Sequence, residues 1–78
     1  MTGTTIDNLL AAEKMARDRI AAAEQERARA ADDRALAIAD LADAIGPTDT
    51  ARRLETSLST VQKFRDRAKL VRLQRAQN

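Results

Sequence analysis

From Ile6 to Ile45 the chain runs forty residues without a glycine or a proline, and then meets Gly46 and Pro47 side by side. Ala, Glu, Arg, Asp and Leu fill this run, and all of them are good helix formers or acceptable on a helix surface. Thr5 is placed to cap such a helix, with Asp7 in the first turn facing its positive end. Gly46 offers a left-handed cap at the other end, and Pro47 cannot continue the helix. A helix of this length exceeds the usual globular range and reads as a coiled coil or an extended arm. An equally valid reading divides it near Asp32–Asp33, where a second helix ending at Ile45 would start.

The apolar residues of this segment fall into two groups. Ile6, Leu9, Leu10, Met15, Ala16, Ile20 and Ala23 form a first stripe. Ala31, Ala35, Ile38, Leu41, Ala42 and Ile45 form a second with clean helical spacing. No large apolar side chain lies between Glu24 and Arg34. A heptad register through Ile6, Ile20 and Leu41 also carries Glu13, Arg27 and Arg34, unlike a leucine zipper. The pattern fits a helix that packs at its two ends, or an Ala-rich close-packed pair. Residues 1–34 are accordingly expected to be a helical arm, and residues 35–78 a compact domain.

Beyond Pro47, Thr48 reads as an N-cap with Asp49 in the first turn, opening a short helix to about Leu54. The run T-S-L-S is a turn, and Ser57 is placed to cap a last helix from Leu58 to about Arg75. Val61, Phe64, Ala68 and Val71 repeat there at helical spacing. The expectation is an all-α chain: a long N-terminal helix, then two helices joined by a turn, with Ile38, Leu41 and Ile45 packing on Leu54, Val61 and Phe64 as a trihelical head.

Composition limits the chemistry. With 78 residues the chain makes one small domain with a thin core, since alanine supplies much of its 44% hydrophobic content and Phe64 is its one aromatic residue. It has no cysteine and no histidine, so thiolate sites, the commonest general base and the commonest metal ligand are absent. No Gly-rich anion cradle appears. Acidic neighbours such as Asp32 and Asp33, or Glu24 and Glu26, do not face one another on a helix and make no catalytic dyad. The expectation is a non-enzyme with no cofactor and no metal. No apolar run approaches a membrane span, and the first residues lack the basic and apolar blocks of a signal peptide, so a cytoplasmic protein is expected.

Charge is divided unevenly. Residues 1–45 hold six basic and nine acidic side chains, a net of −3, and residues 46–78 hold eight and three, a net of +5. A basic half joined to an acidic scaffold fits a polyanion-binding head.

The basic half contains a recognisable spacing. Ala51, Leu54, Val61 and Phe64 supply the small residue and the apolar fillers that two crossing helices need. Over residues 47–66 the chain resembles the helix-turn-helix module of bacterial, phage and plasmid regulators, including repressors and resolvases. The resemblance implies a left-handed turn at the residue after Leu54, where the family usually has glycine and this chain has Glu55. It also implies binding to double-stranded DNA, with transcriptional or phage and plasmid regulation as the outcome, and residence on the nucleoid when bound. Carried over by position, Ser57, Leu58, Ser59, Gln62 and Lys63 fall where that module meets base edges. Gln62 suits adenine and Lys63 suits guanine. Thr50, Arg52, Arg53, Thr60, Arg65 and Arg67 fall where it meets phosphates. Lys69, Arg72 and Arg75 extend the basic surface. Leu58 stands where the family often has Arg or Gln, and suits a thymine methyl or a protein surface equally well. The family usually acts as a two-fold dimer, for which the N-terminal helix is the expected surface. The alternative reading is a protein–protein adapter, in which the same head is a platform and the arm pairs with itself or with a host protein.

Overall fold

The computed structural model describes residues 2–78, with side chains from residue 5 onwards. It is all α, with three helices: α1 at Thr2–Ile45, α2 at Pro47–Arg53 and α3 at Leu58–Gln77. α1 is unbroken through Asp32 and Asp33, so of the two readings above the single helix holds. It begins ahead of Thr5, which is therefore an interior residue and not the N-cap. Ion pairs between neighbouring turns line its surface: Glu13 with Arg17 at 2.9 Å and Glu26 with Arg29 at 3.8 Å. Such pairs add about 0.2–0.5 kcal/mol each to an isolated helix. No helix among the described residues is long and apolar enough to cross a membrane.

Gly46 separates α1 from α2 and serves both. Its N–H donates to the Ala42 carbonyl at 2.9 Å, closing α1. Its own carbonyl accepts from the Thr50 N–H at 3.1 Å and from Thr50 Oγ1 at 2.8 Å, opening α2. The residue sits at φ 89°, ψ 153°, a region essentially reserved for glycine. Gly46, not Thr48, is thus the N-cap of α2. Pro47 follows as the first helical residue, where its missing N–H costs nothing because that position has no intrahelical partner.

α2 ends in a paired-bond cap. The Thr56 N–H donates to the Ala51 carbonyl at 2.9 Å and the Glu55 N–H to the Arg52 carbonyl at 3.2 Å, with Glu55 at φ 55°. These bonds are those of a Schellman motif, in which a left-handed residue recovers carbonyls that the last helical turn leaves open.

The chain then returns along α1. Asp43 meets Arg65 and Asp33 meets Arg75, so α3 runs antiparallel to α1. The core between the three helices is made of Ile38, Ala42, Ala51 and Val61, with Phe64 packed at its edge. Ala35, Ala39, Ala68 and Val71 are buried as well. Alanine at so many of these positions lets the backbones of α1 and α3 approach closely. Four residues expected in the core are less buried than that. Leu54, expected in the core, is 43% exposed. It is the C-cap of α2, one residue past the last helical residue, Arg53. Phe64, expected to be buried, is half-buried, and the guanidinium of Arg34 lies 4.9 Å from its ring centroid. Leu41 and Ile45 are half-buried too, which leaves Ile38 as the principal aliphatic that α1 gives to the core.

The front of α1 is bare. Ile6, Leu9, Leu10, Met15 and Ile20 are all exposed, and the molecule is an elongated body of 66 × 31 × 15 Å. α3 reaches only as far as Gln25, where Gln74, Arg75 and Asn78 line a shallow cleft with Gln25, Ala28 and Arg29.

Candidate nucleic-acid interface

The left-handed turn at Glu55 aims the start of α3. Ser57 holds extended backbone geometry at φ −87°, ψ 156°, and its Oγ accepts from the Thr60 N–H at 3.1 Å. This is an N-cap bond, worth about 0.5–2 kcal/mol. Ser57 Oγ also lies 2.8 Å from Thr60 Oγ1 and 3.1 Å from Ser59 Oγ. The three hydroxyls form one small cluster at the helix end.

Ser57, Leu58, Ser59, Gln62 and Lys63 are all exposed around the first turns of α3. The structure therefore brings the five base-contact candidates together on one end of one helix, away from the core. Gln62 is not free: its amide donates to Asp66 Oδ1 at 3.1 Å, one turn on. Leu58 is 53% exposed and holds no place in the core. Lys63 shares a shallow cleft with Thr60, Phe64 and Arg67.

The phosphate-contact candidates separate into three kinds. Thr50 is wholly buried, with its hydroxyl bound to the Gly46 carbonyl. It is part of the α1–α2 junction, and no phosphate can reach it; the sequence position gave no sign of this because threonine is common on helix surfaces. Arg52 and Arg53 are exposed on α2, with Arg52 held 3.1 Å from Asp49. Thr60, Arg65 and Arg67 are engaged within the molecule. Arg65 reaches Asp43 at 3.4 Å. Arg67 directs Nε and Nη2 onto Asp32 Oδ1 at 3.1 and 2.7 Å.

This last pair belongs to a larger pattern. Arg72 meets Asp40 at 2.9 Å and Arg75 meets Asp33 at 2.7 Å. Four arginines of α3 thus close on four aspartates of α1. The unequal charge of the two halves is in large part matched between two antiparallel helices. Of the eight basic residues after Gly46, Arg53, Lys63 and Lys69 have no ion pair among the described residues. The aspartates were missed at the sequence level. Their signal was there only in part: laid antiparallel, the helices set Asp43 by Arg65 and Asp33 by Arg75, whereas the Arg67–Asp32 and Arg72–Asp40 pairs do not follow that order. Each such pair contributes about 0–1 kcal/mol, so the four add little to stability.

Among the described residues no group of His, Cys, Asp and Glu side chains is placed to hold a metal ion, and no buried side-chain nitrogen or oxygen lacks a hydrogen-bond partner. Comparison with protein-family models, with curated proteins and with solved structures finds no match to this chain.

Proposed function

We propose that this chain is a small regulator of the helix-turn-helix kind that binds double-stranded DNA through the start of α3, and that its arm joins two copies. The observation that carries the reading is the turn. Glu55 adopts a left-handed backbone in the position where the resemblance calls for one, although a side chain there costs about 1–2 kcal/mol. A fold that keeps such a residue is committed to the angle between α2 and α3. Beyond that turn Ser57, Leu58, Ser59, Gln62 and Lys63 are presented to solvent. On DNA, Gln62 exchanges its bond to Asp66 for the edge of a base.

The ion pairs set the size of the electrostatic effect. With Arg53, Lys63 and Lys69 as the unpaired cations, binding to duplex DNA should fall with salt at a log–log slope of about 3, at roughly 0.9 per phosphate neutralised. Exchange of Asp32 and Asp43 for asparagine frees Arg67 and Arg65. It should tighten binding and raise the slope to about 5. Lys63→Ala or Gln62→Ala should relax base preference at one or two positions, by about 1–3 kcal/mol for a bidentate contact. Selection of bound sequences from a random duplex pool at about 0.1 M salt, near the ionic strength where non-specific attraction is screened, is the direct test. Recovery of no enriched sequence would overturn the proposal.

A second reading has its own support. Leu58 is exposed at the front of α3, and four arginines are already matched inside the molecule. A protein-binding adapter would use Leu58 as an anchor. Its partner affinity would fall with Leu58→Ala and would not respond to the aspartate exchanges.

A further inference from the structure

The arm of α1 carries both charge and large aliphatics on one side. At about 3.6 residues per turn, Ile6, Leu9, Leu10 and Ile20 share a side of the helix, and Glu13, Arg17 and Glu24 fall on the same side. Met15, expected in the same stripe, lies on the opposite side of the helix. The aliphatics are between 52% and 65% exposed, and nothing in α2 or α3 reaches them. A stripe that mixes aliphatics and charges in this order constrains any helix that packs on it.

We infer that the occupant of this face is the same stretch of a second copy, laid antiparallel about a two-fold axis near residue 15. In that register each residue meets the partner residue whose number brings the sum to about 30. Leu10, with Leu9 beside it, meets the partner's Ile20, and Ile20 meets the partner's Leu10. Glu13 meets the partner's Arg17, and Arg17 the partner's Glu13. The 2.9 Å Glu13–Arg17 pair within each helix then becomes half of a ring of four alternating charges across the axis. The macrodipoles of the two helices also oppose each other.

A parallel, in-register pair fails on the same residues. It sets Glu13 against Glu13, Arg17 against Arg17 and Glu24 against Glu24, each a like-charge contact on the packing side. Sliding one helix by a turn to avoid this destroys the two-fold relation, and such a contact does not close. The antiparallel register keeps the two-fold axis, the Leu10–Ile20 contacts and the Glu13–Arg17 complementarity together, and sets Ile6 beside the partner's Glu24 only at the two ends of the overlap.

The arrangement sends the two heads to opposite ends of a rod. About thirty residues separate the axis from the end of α1, so the two α3 start sites lie about 90 Å apart at 1.5 Å per residue. That is far beyond the roughly 34–36 Å between adjacent half-sites of a compact dimer. One dimer would then hold two well-separated segments of DNA. This last consequence rests on the DNA-binding reading; the pairing of the arms does not.

The chain has no cysteine, so a single introduced thiol reports on the arm directly. Leu10→Cys and Ile20→Cys variants are prepared separately, then mixed under mild oxidation. The antiparallel pair predicts a disulfide-linked species that forms in the mixture and is scarce in either variant alone. Linked dimer in each variant alone, with no gain on mixing, means a parallel pair and overturns the orientation. A monomer in sedimentation at up to about 100 μM, where even a weak dimer is populated, overturns the pairing itself. A second test uses charge. Glu13→Arg alone, or Arg17→Glu alone, should weaken the dimer about tenfold or more, and the two together should restore it. Small-angle scattering should give the wild-type dimer a longest dimension of roughly 100 Å, from two helices overlapping only at their arms, against the 66 Å of one chain. None of these measurements involves DNA, so failure of the arm pairing and failure of the DNA-binding reading are separately visible.

Discussion

The two halves of α1 belong to one continuous helix and yet treat their hydrophobic side chains in opposite ways. Between residues 35 and 42 the buried positions are Ala35, Ile38, Ala39 and Ala42, mostly small, and α3 lies against them. In the arm Ile6, Leu9, Leu10 and Ile20 are large, and all are exposed. Small residues suffice where a second helix is supplied by the same chain, because close approach of the backbones makes up for the missing side-chain volume. Large aliphatics without a partner give the arm no such return within one chain. The contrast shows that burial here follows the availability of a covering helix and not the size of the apolar side chain.

The strongest break in that comparison comes from two isoleucines on one helix. Ile38→Ala removes the main aliphatic from the core and should destabilise the head by about 2–4 kcal/mol, a large share of what so small a domain possesses. Ile20→Ala should leave the unfolding of the monomer unchanged within about 0.5 kcal/mol, since it removes an exposed side chain. Denaturant unfolding of both variants at low protein concentration compares them directly. Equal losses would mean that the arm and the head are not energetically distinct.

Next in size is the junction that ends α1. A Cβ at Gly46 would meet nothing within 4 Å, so the cost of Gly46→Ala is one of backbone alone. At φ 89° it should be about 1–3 kcal/mol. The loss should appear in amide exchange of α2 and α3 and spare the arm. Loss of protection in the arm as well would mean that α1 unfolds with the head as one unit.

Phe64→Ala follows. A buried phenylalanine would cost about 3–5 kcal/mol, but this ring is half-buried and covered on one side by Arg34. About 1–2 kcal/mol is expected from its smaller buried area. A loss near the upper figure would place Phe64 in the core on the same footing as Ile38.

The smallest effect belongs to the ion pairs. Asp40→Asn removes the partner of Arg72, and both groups are exposed. The change should cost well under 1 kcal/mol and shrink further in high salt. A larger loss would mean that the charges, and not the alanine face, hold α3 on α1.

What the sequence determined by itself is local. The stop at Gly46–Pro47 and the Ser57 cap each depend on a few neighbouring residues whose backbone preferences and short-range bonds are strong; the left-handed turn at Glu55 is what the resemblance implies, and the residues before Gly46 fit one helix or two. The all-α order and the burial of Ala51 and Val61 were legible for the same reason, since helical spacing marks the inner face. Tertiary structure decided which charges remain available. Arg65, Arg67, Arg72 and Arg75 look like a basic surface when read along α3. They are matched because α1 brings Asp43, Asp32, Asp40 and Asp33 alongside, from 22 to 42 residues away in the chain. Thr50 was hidden, and Leu54 turned outward, by the angles at which α2 meets its neighbours. Local pattern reports the conformation of a segment; the surroundings of its side chains depend on the register and angle at which distant segments pack, which no short window of sequence contains.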